Sequence, residues 1–154
     1  MPVELIKGDI FASDLRAFAQ GVNCAGAMDA GIAVAFKKKW PRMFEDYHAR
    51  CEDGRLKLGD VFAWTDGEVT VYNLAIQEHW KKKATMAGLT RALKKTIELA
   101  THASVDRIGV PRIGTGLGGL EWPRVKSVLE QLGSETPIEF KVFEQFIRDN
   151  PAKE

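Results

Sequence analysis

Cysteine is scarce in this chain, neither charge is in excess and no apolar run is long. Each shortage removes a class of protein. Only Cys24 and Cys51 occur among 154 residues, with no C-x-x-C pair, so neither a disulfide scaffold nor a structural zinc site is expected. Lysine and arginine number 22 against 21 aspartates and glutamates, a formal charge of +1. That balance argues against holding nucleic acid by bulk electrostatics, which needs a phosphate-neutralising excess. A local patch stays open, since Lys37-Lys38-Lys39 and Lys81-Lys82-Lys83 are basic triplets; the ordinary role of such a run is a solvated helix edge or loop. No apolar run approaches the roughly 20 residues that cross a bilayer. Nothing at the N-terminus resembles a secretory leader, so the cytoplasm is the expected location.

What the chain does have is glycine in two places. One stretch runs Asn23-Cys24-Ala25-Gly26-Ala27-Met28-Asp29-Ala30-Gly31, the other Gly114-Thr115-Gly116-Leu117-Gly118-Gly119. Glycine lets backbone approach a ligand and adopt positive φ at little steric cost. A strand, then glycines, then a helix start presents free N–H groups and the positive end of a helix dipole, which suits phosphate. Two such loops point to a ligand with two phosphates gripped from both sides.

The length fits one domain over residues 1–148, with a polar tail at 149–154. Strands are expected at Val3–Ile6, Phe18–Asn23, Val61–Thr65, Val69–Leu74, Arg107–Val110 and Ile138–Phe143. Asp66-Gly67 between two apolar runs signals a hairpin. A helix on Ile32 and Phe36 ends at Trp40-Pro41, and a second covers Pro41–Cys51 on a stripe of Met43, Phe44 and Tyr47. Leu89, Leu93, Ile97 and Ala100 recur at helical spacing after Thr85, a candidate N-cap, and Trp122–Leu132 forms the last helix. Alternating strands and helices imply an α/β domain, its mixed sheet covered on both faces and the hairpin supplying the antiparallel part. Both glycine loops then fall at the carboxyl edge of the strands, where such sheets bind ligands.

Gly114-x-Gly116-x-x-Gly119 matches the dinucleotide fingerprint, yet that pattern normally opens a fold, and too little chain follows to complete one. A nicotinamide oxidoreductase therefore rests on the glycine pattern alone, and a purely structural turn is the plain alternative. Asp9 can cap the turn after the first strand or accept a hydrogen bond from an adenine amino group. Cys24 can be a nucleophile or a small residue permitting close packing.

Together these segments resemble the macrodomain family. Lys7-Gly8-Asp9-Ile10-Phe11, Asn23-Cys24, Ala30-Gly31-Ile32-Ala33-Val34-Ala35-Phe36 with the lysines after it, and Pro111-Arg112-Ile113-Gly114-Thr115-Gly116-Leu117 carry the likeness from about Val3 to Phe143. It is nearest the branch holding a terminal ADP-ribose protein glycohydrolase and an antitoxin that removes ADP-ribose from DNA. The resemblance implies a three-layer α/β/α fold that binds ADP-ribose or its conjugates on protein or nucleic acid, with no metal and no cofactor. Gly8, Asp9 and Ile10 would hold the adenine. Asn23, Met28, Gly31, Ile32 and Ala33 would wrap the distal ribose and one phosphate. Pro111, Ile113, Gly114, Thr115, Gly116 and Leu117 would line the pyrophosphate. Membrane association is not implied, and nothing in the sequence sets an oligomeric state.

Two positions depart from that branch. Gly118 stands where the glycohydrolase has a catalytic aspartate, and Gln77 where the branch has a catalytic lysine. Glutamine can neither attack the ribose as an amine nor act as a base; Lys81 to Lys83 would restore the amine only through a slipped alignment, which His79-Trp80 opposes. Asp29 is the substitute, in Met28-Asp29-Ala30-Gly31-Ile32 where the nearest relatives have glycine. Its carboxylate would orient or deprotonate a water for attack at C1″, or it merely caps the following helix. His79 is a candidate proton donor to the leaving group. The first reading is thus a hydrolase of ADP-ribose conjugates, and the alternative a non-catalytic ADP-ribose reader.

Overall fold

The computed structural model describes residues 3–116 and 118–144. Six strands and four helices follow in the order β1 (Val3–Ile6), β2 (Ala17–Asn23), α1 (Ile32–Lys39), α2 (Pro41–Glu52), β3 (Val61–Thr65), β4 (Thr70–Gln77), α3 (Met86–His102), β5 (Arg107–Pro111), α4 (Trp122–Gly133) and β6 (Glu139–Phe143). The strands form one sheet in the order β1-β6-β5-β2-β4-β3. Every neighbouring pair is parallel except β3 with β4, the hairpin around Asp66-Gly67. There Asp66 Oδ1 accepts the N–H groups of Glu68 and Val69 at 2.9 and 2.8 Å. These two donors hold its carboxyl below the ordinary carboxylate range.

Alternation along the central strands builds two cores. Ala17 and Ala19 of β2 with Tyr72, Leu74 and Ile76 of β4 face α3 and α4, where Leu89, Leu93, Val125 and Leu129 meet them. Phe18 and Val22 with Val71 and Ala75 face α1 and α2, through Phe36, Met43 and Tyr47. Phe11, Phe18, Phe36 and Trp40 join edge-on or tilted, with ring centroids 5.0 to 6.5 Å apart. They lock the end of α1 over β2, and Pro41 begins α2 in the next residue.

The main departure from the sequence expectation is β4, which extends beyond Leu74 to Gln77. Its pairing with β2 continues, Ala75 opposite Val22 and Gln77 opposite Asn23, across a register shift between Val22 and Asn23. A bulge of this kind re-aims side chains at the end of a strand. The expected polar tail at 149–154 lies outside the described residues.

Candidate functional site

Because β5, β2 and β4 are adjacent and parallel, the loops leaving their carboxyl ends are neighbours. They are the two glycine loops and, between β4 and α3, residues 78–85. The end of β4 and this third loop tie the other two together. Cys24 N–H donates to the Gln77 carbonyl at 2.8 Å, and Ala84 N–H donates to the Gly118 carbonyl at 2.8 Å.

The first glycine loop is shaped by side chains. Asn23 Oδ1 accepts from Ala25 and Ala27 N–H at 3.0 and 3.2 Å, while its Nδ2 donates to the Ala27 carbonyl at 3.0 Å. The buried Tyr47 hydroxyl sits 2.6 Å from the Asn23 carbonyl and 2.9 Å from its Oδ1. Burial pushes that phenol far above its usual range, so it remains a proton donor. His48 Nδ1 lies 3.1 Å from the Gly26 carbonyl, and its Nε2 is 3.4 Å from Glu52. Neither Tyr47 nor His48 was expected at the site. A signal existed for Tyr47, since a tyrosine on a fully buried stripe needs a partner for its hydroxyl.

Gly31 closes this loop at φ 62° and ψ −146°, a conformation essentially reserved for glycine, and no side chain caps α1. The first-turn amides of Ile32 and Ala33 therefore have no side-chain cap, and helix starts of this kind suit anions. Asp29 does not cap this helix. Its carboxylate is 77% exposed and pairs with Lys37 Nζ at 3.7 Å, while the same ammonium lies 4.2 Å from the centre of the Phe44 ring. Asp29 and Lys37 line a groove of about 630 Å3 that runs along α1 and α2 past Val34 and Phe44. The Met28 side chain turns into the core, 1% exposed, so its contribution to a ligand is through backbone.

The second loop is shaped by backbone and by missing side chains. Leu120 N–H donates to the Gly114 carbonyl at 2.8 Å and Gly119 N–H to the Gly116 carbonyl at 3.1 Å. Gly114 takes φ 78°, and a Cβ there would lie 2.7 Å from Leu120 Cδ1. A Cβ on Gly118 would lie 2.7 Å from the Gly114 carbonyl oxygen and 3.1 Å from Ala84 Cβ. Side chains are excluded at position 118 by the path of this loop. Gly116 differs: its φ is ordinary, and a Cβ would meet nothing within 4 Å. Thr115 Oγ1 donates to the Arg112 carbonyl at 2.9 Å, Ile113 and Pro111 belong to the buried floor, and Leu117 lies outside the described residues.

At the sheet's far side Gly8 takes φ 137°, and Asp9 Oδ1 accepts Phe11 N–H at 2.9 Å, so Asp9 does cap the turn that follows it. Ile10 is buried and can meet a ligand only through backbone. In the third loop Gln77 is 8% exposed and its Nε2 donates to the Lys82 carbonyl. The side chain at the lysine position is thus a clamp on the loop. His79 Nδ1 accepts Lys81 N–H at 3.0 Å, which leaves Nε2 as the nitrogen free to carry a proton. Burial raises the Cys24 thiol to about 11, with Cys51 adding to the shift, so it is not a thiolate nucleophile at neutral pH.

A parallel sheet with two glycine-rich loops at its carboxyl edge has known counterparts. The family model described as Macro domain matches residues 19–129, and this chain belongs to the macro domain family. It is 31% identical over 135 residues to a DNA ADP-ribosyl glycohydrolase of Mycobacterium tuberculosis, covering 85% of this chain and 38% of the relative. The chain thus spans about two-fifths of that curated relative. Human ADP-ribose glycohydrolase OARD1 is 29% identical over 144 residues, 92% of this chain and 90% of its own length. Among solved structures, the macrodomain of Mycobacterium tuberculosis DarG superposes with a TM-score of 0.83 at 27% identity, covering 93% of this chain and 97% of that one. The expected three-layer α/β fold and family are both borne out. No helix among the described residues is long and apolar enough to cross a membrane.

Proposed function

We propose that this domain binds ADP-ribose between its two glycine loops and hydrolyses the bond joining the distal ribose to a protein or nucleic-acid carrier. The observation carrying this reading is the exposed Asp29 carboxylate, two residues from Gly31 and the uncapped amides of α1. The relatives named as ADP-ribosyl and ADP-ribose glycohydrolases support the reaction class.

In the proposed reaction Asp29 accepts a proton from water as its oxygen bonds to C1″ of the ribose. The bond from C1″ to the carrier atom breaks, its electron pair leaves with the carrier, and His79 Nε2 or solvent supplies that atom's proton. The negative carboxylate also stabilises positive charge gathering on the ribose ring. Lys37, held between Asp29 and Phe44, fixes the carboxylate's position. The two free thiols suit the reducing cytoplasm, where we place the protein.

A general base contributes roughly 100-fold or more, so Asp29→Ala should lower the rate of ADP-ribose release by at least about 100-fold. Its ADP-ribose affinity, measured by calorimetry, should stay within a few fold. Unchanged turnover would refute the assignment. One observation favours a reader instead: Gln77 spends its amide on Lys82 and brings no amine to the ribose. Tight binding of ADP-ribosylated protein and ADP-ribosylated thymidine with no release from either would establish that reading.

A further inference from the structure

On the face of the sheet opposite α1 and α2, a groove of about 530 Å3 lies between α3 and α4. These helices leave the parallel strands β4 and β5 and return to the next parallel strands, so they run in the same direction. Their N-terminal parts line the groove, which places the positive end of both helix dipoles there. The floor is aliphatic: Met86 and Val128 are half-buried against the core beneath, and Ala87 is exposed beside them. Arg91, Lys94 and Arg124 stand around this floor, all exposed. No carboxylate lines the groove, and among the described residues none of the three cations has an acidic partner within 4.0 Å. In a chain with a formal charge of +1, that is a local concentration of unpaired positive charge.

Arg91 is also held in place. Its Cδ lies 2.8 Å, and its Cγ and Nε 3.4 Å, from where a Cβ on Gly59 would stand. Gly59 takes φ 91°, and its N–H donates to the Ala75 carbonyl at 2.7 Å, so the arginine stem runs over fixed backbone. A cation ordered beforehand loses less entropy when it meets a carboxylate.

The lining discriminates among anions. A small anion such as phosphate would engage the cations and leave Met86, Ala87 and Val128 in water. A nucleic acid single strand is held by rings on which its bases stack, and no aromatic side chain lines this groove. An amphipathic helix uses both features. Its apolar ridge, repeating at i, i+3, i+4 and i+7, lies in an apolar groove while flanking carboxylates meet the cations.

We propose that the α3–α4 groove docks an acidic amphipathic helix of a partner protein. The helix seats its apolar ridge on Met86, Ala87 and Val128 and turns its carboxylates to Arg91, Lys94 and Arg124. This surface acts independently of whatever the glycine loops bind.

The probe is a synthetic peptide of leucine, alanine and glutamate, with its leucines on one helical face and its glutamates beside them. It is titrated into the isotopically labelled full chain while backbone amide resonances are followed. Those of Met86, Ala87, Arg91 and Arg124 should shift along one saturation curve. Two altered peptides, one with the same composition but scattered leucines and one with glutamine for every glutamate, should each bind at least about tenfold more weakly. Replacing Arg91, Lys94 and Arg124 together by glutamine should cause a similar loss. Ala87→Glu should also weaken binding about tenfold by like-charge repulsion. Its unfolding midpoint should hold, because Ala87 is exposed in the first turn of α3, where a carboxylate suits the dipole. No shift at millimolar peptide would overturn the proposal, as would wild-type affinity in either variant or equal affinity for either altered peptide. Displacement of the peptide by an equal concentration of oligothymidylate would overturn it in favour of nucleic acid. Shifts of the same amides on concentrating the protein alone would overturn it in favour of a second copy of this chain.

Discussion

The two glycine loops reach similar ends by different means. The first, at residues 24–31, is held by side chains: Asn23, Tyr47 and His48 bind its carbonyls and amides from β2 and α2. The second, at residues 114–119, is held by its own backbone and by the absence of side chains at Gly114 and Gly118. The side-chain framework of the first loop leaves the Asp29 carboxylate exposed. The reaction we propose draws its carboxylate from the first loop, since the path of the second admits no side chain at position 118.

The contrast breaks first at Gly118. Gly118→Asp would put a carboxylate at this position, but its Cβ would lie 2.7 Å from the Gly114 carbonyl oxygen. Overpacking against backbone costs about 3 kcal/mol, so denaturant unfolding should show that loss, with no gain in ADP-ribose release. A stable, more active variant would mean that the loop accommodates a side chain. Asn23→Ala should cost less, about 2 kcal/mol, by removing the acceptor for two loop amides and the Tyr47 hydroxyl. Because the damage is local, the same variant should keep the second loop's amide exchange rates unchanged.

Gly116→Ala sharpens the comparison in a different way. Nothing in the fold demands glycine there, since its φ is ordinary and the space around it is open. The variant should unfold at the wild-type denaturant midpoint, yet bind ADP-ribose at least tenfold more weakly, about 1.4 kcal/mol, because the added methyl blocks close approach of the phosphates. Equal losses in both measurements would make Gly116 a structural glycine instead.

The smallest effect concerns Cys24. Its folded thiol ionises near 11 against 9.0 for an unperturbed one, chiefly through burial. The neutral thiol's contribution to stability is complete below pH 9 and declines as pH rises through 11, because the unfolded chain releases that proton first. Alkylation by iodoacetamide, followed by mass spectrometry, should be slow at pH 8 and accelerate toward pH 11. Rapid alkylation at pH 7 would mean a thiolate and reopen a nucleophilic role.

Much of the fold was legible because local signals agreed with the sheet. Asp66-Gly67 made the hairpin, Thr85 caps α3 by accepting Gly88 N–H at 2.9 Å, and Trp40-Pro41 separates α1 from α2. The end of β4 was not legible, because Ala75 and Gln77 are weak strand formers whose pairing with β2 extends the strand. The two glycine loops of the candidate site were legible from local spacing, whereas Asp29 was singled out through the family resemblance. The site's supports were hidden by distance along the chain. Tyr47 reaches back 24 residues to Asn23, and Ala84 reaches forward to Gly118. Lys37 read as one of a solvated triplet at a helix end, where cations do suit the dipole. Only the fold brings it within 3.7 Å of Asp29.

The central claim is that one diphosphate ligand is held at once by the amides of α1's first turn and those of the second glycine loop. Titrating ADP-ribose into isotopically labelled protein and following backbone amide resonances tests it directly. The resonances of Ile32, Ala33, Thr115 and Gly116 should shift together along a single saturation curve. Shifts confined to one loop, or none at millimolar ligand, would contradict it.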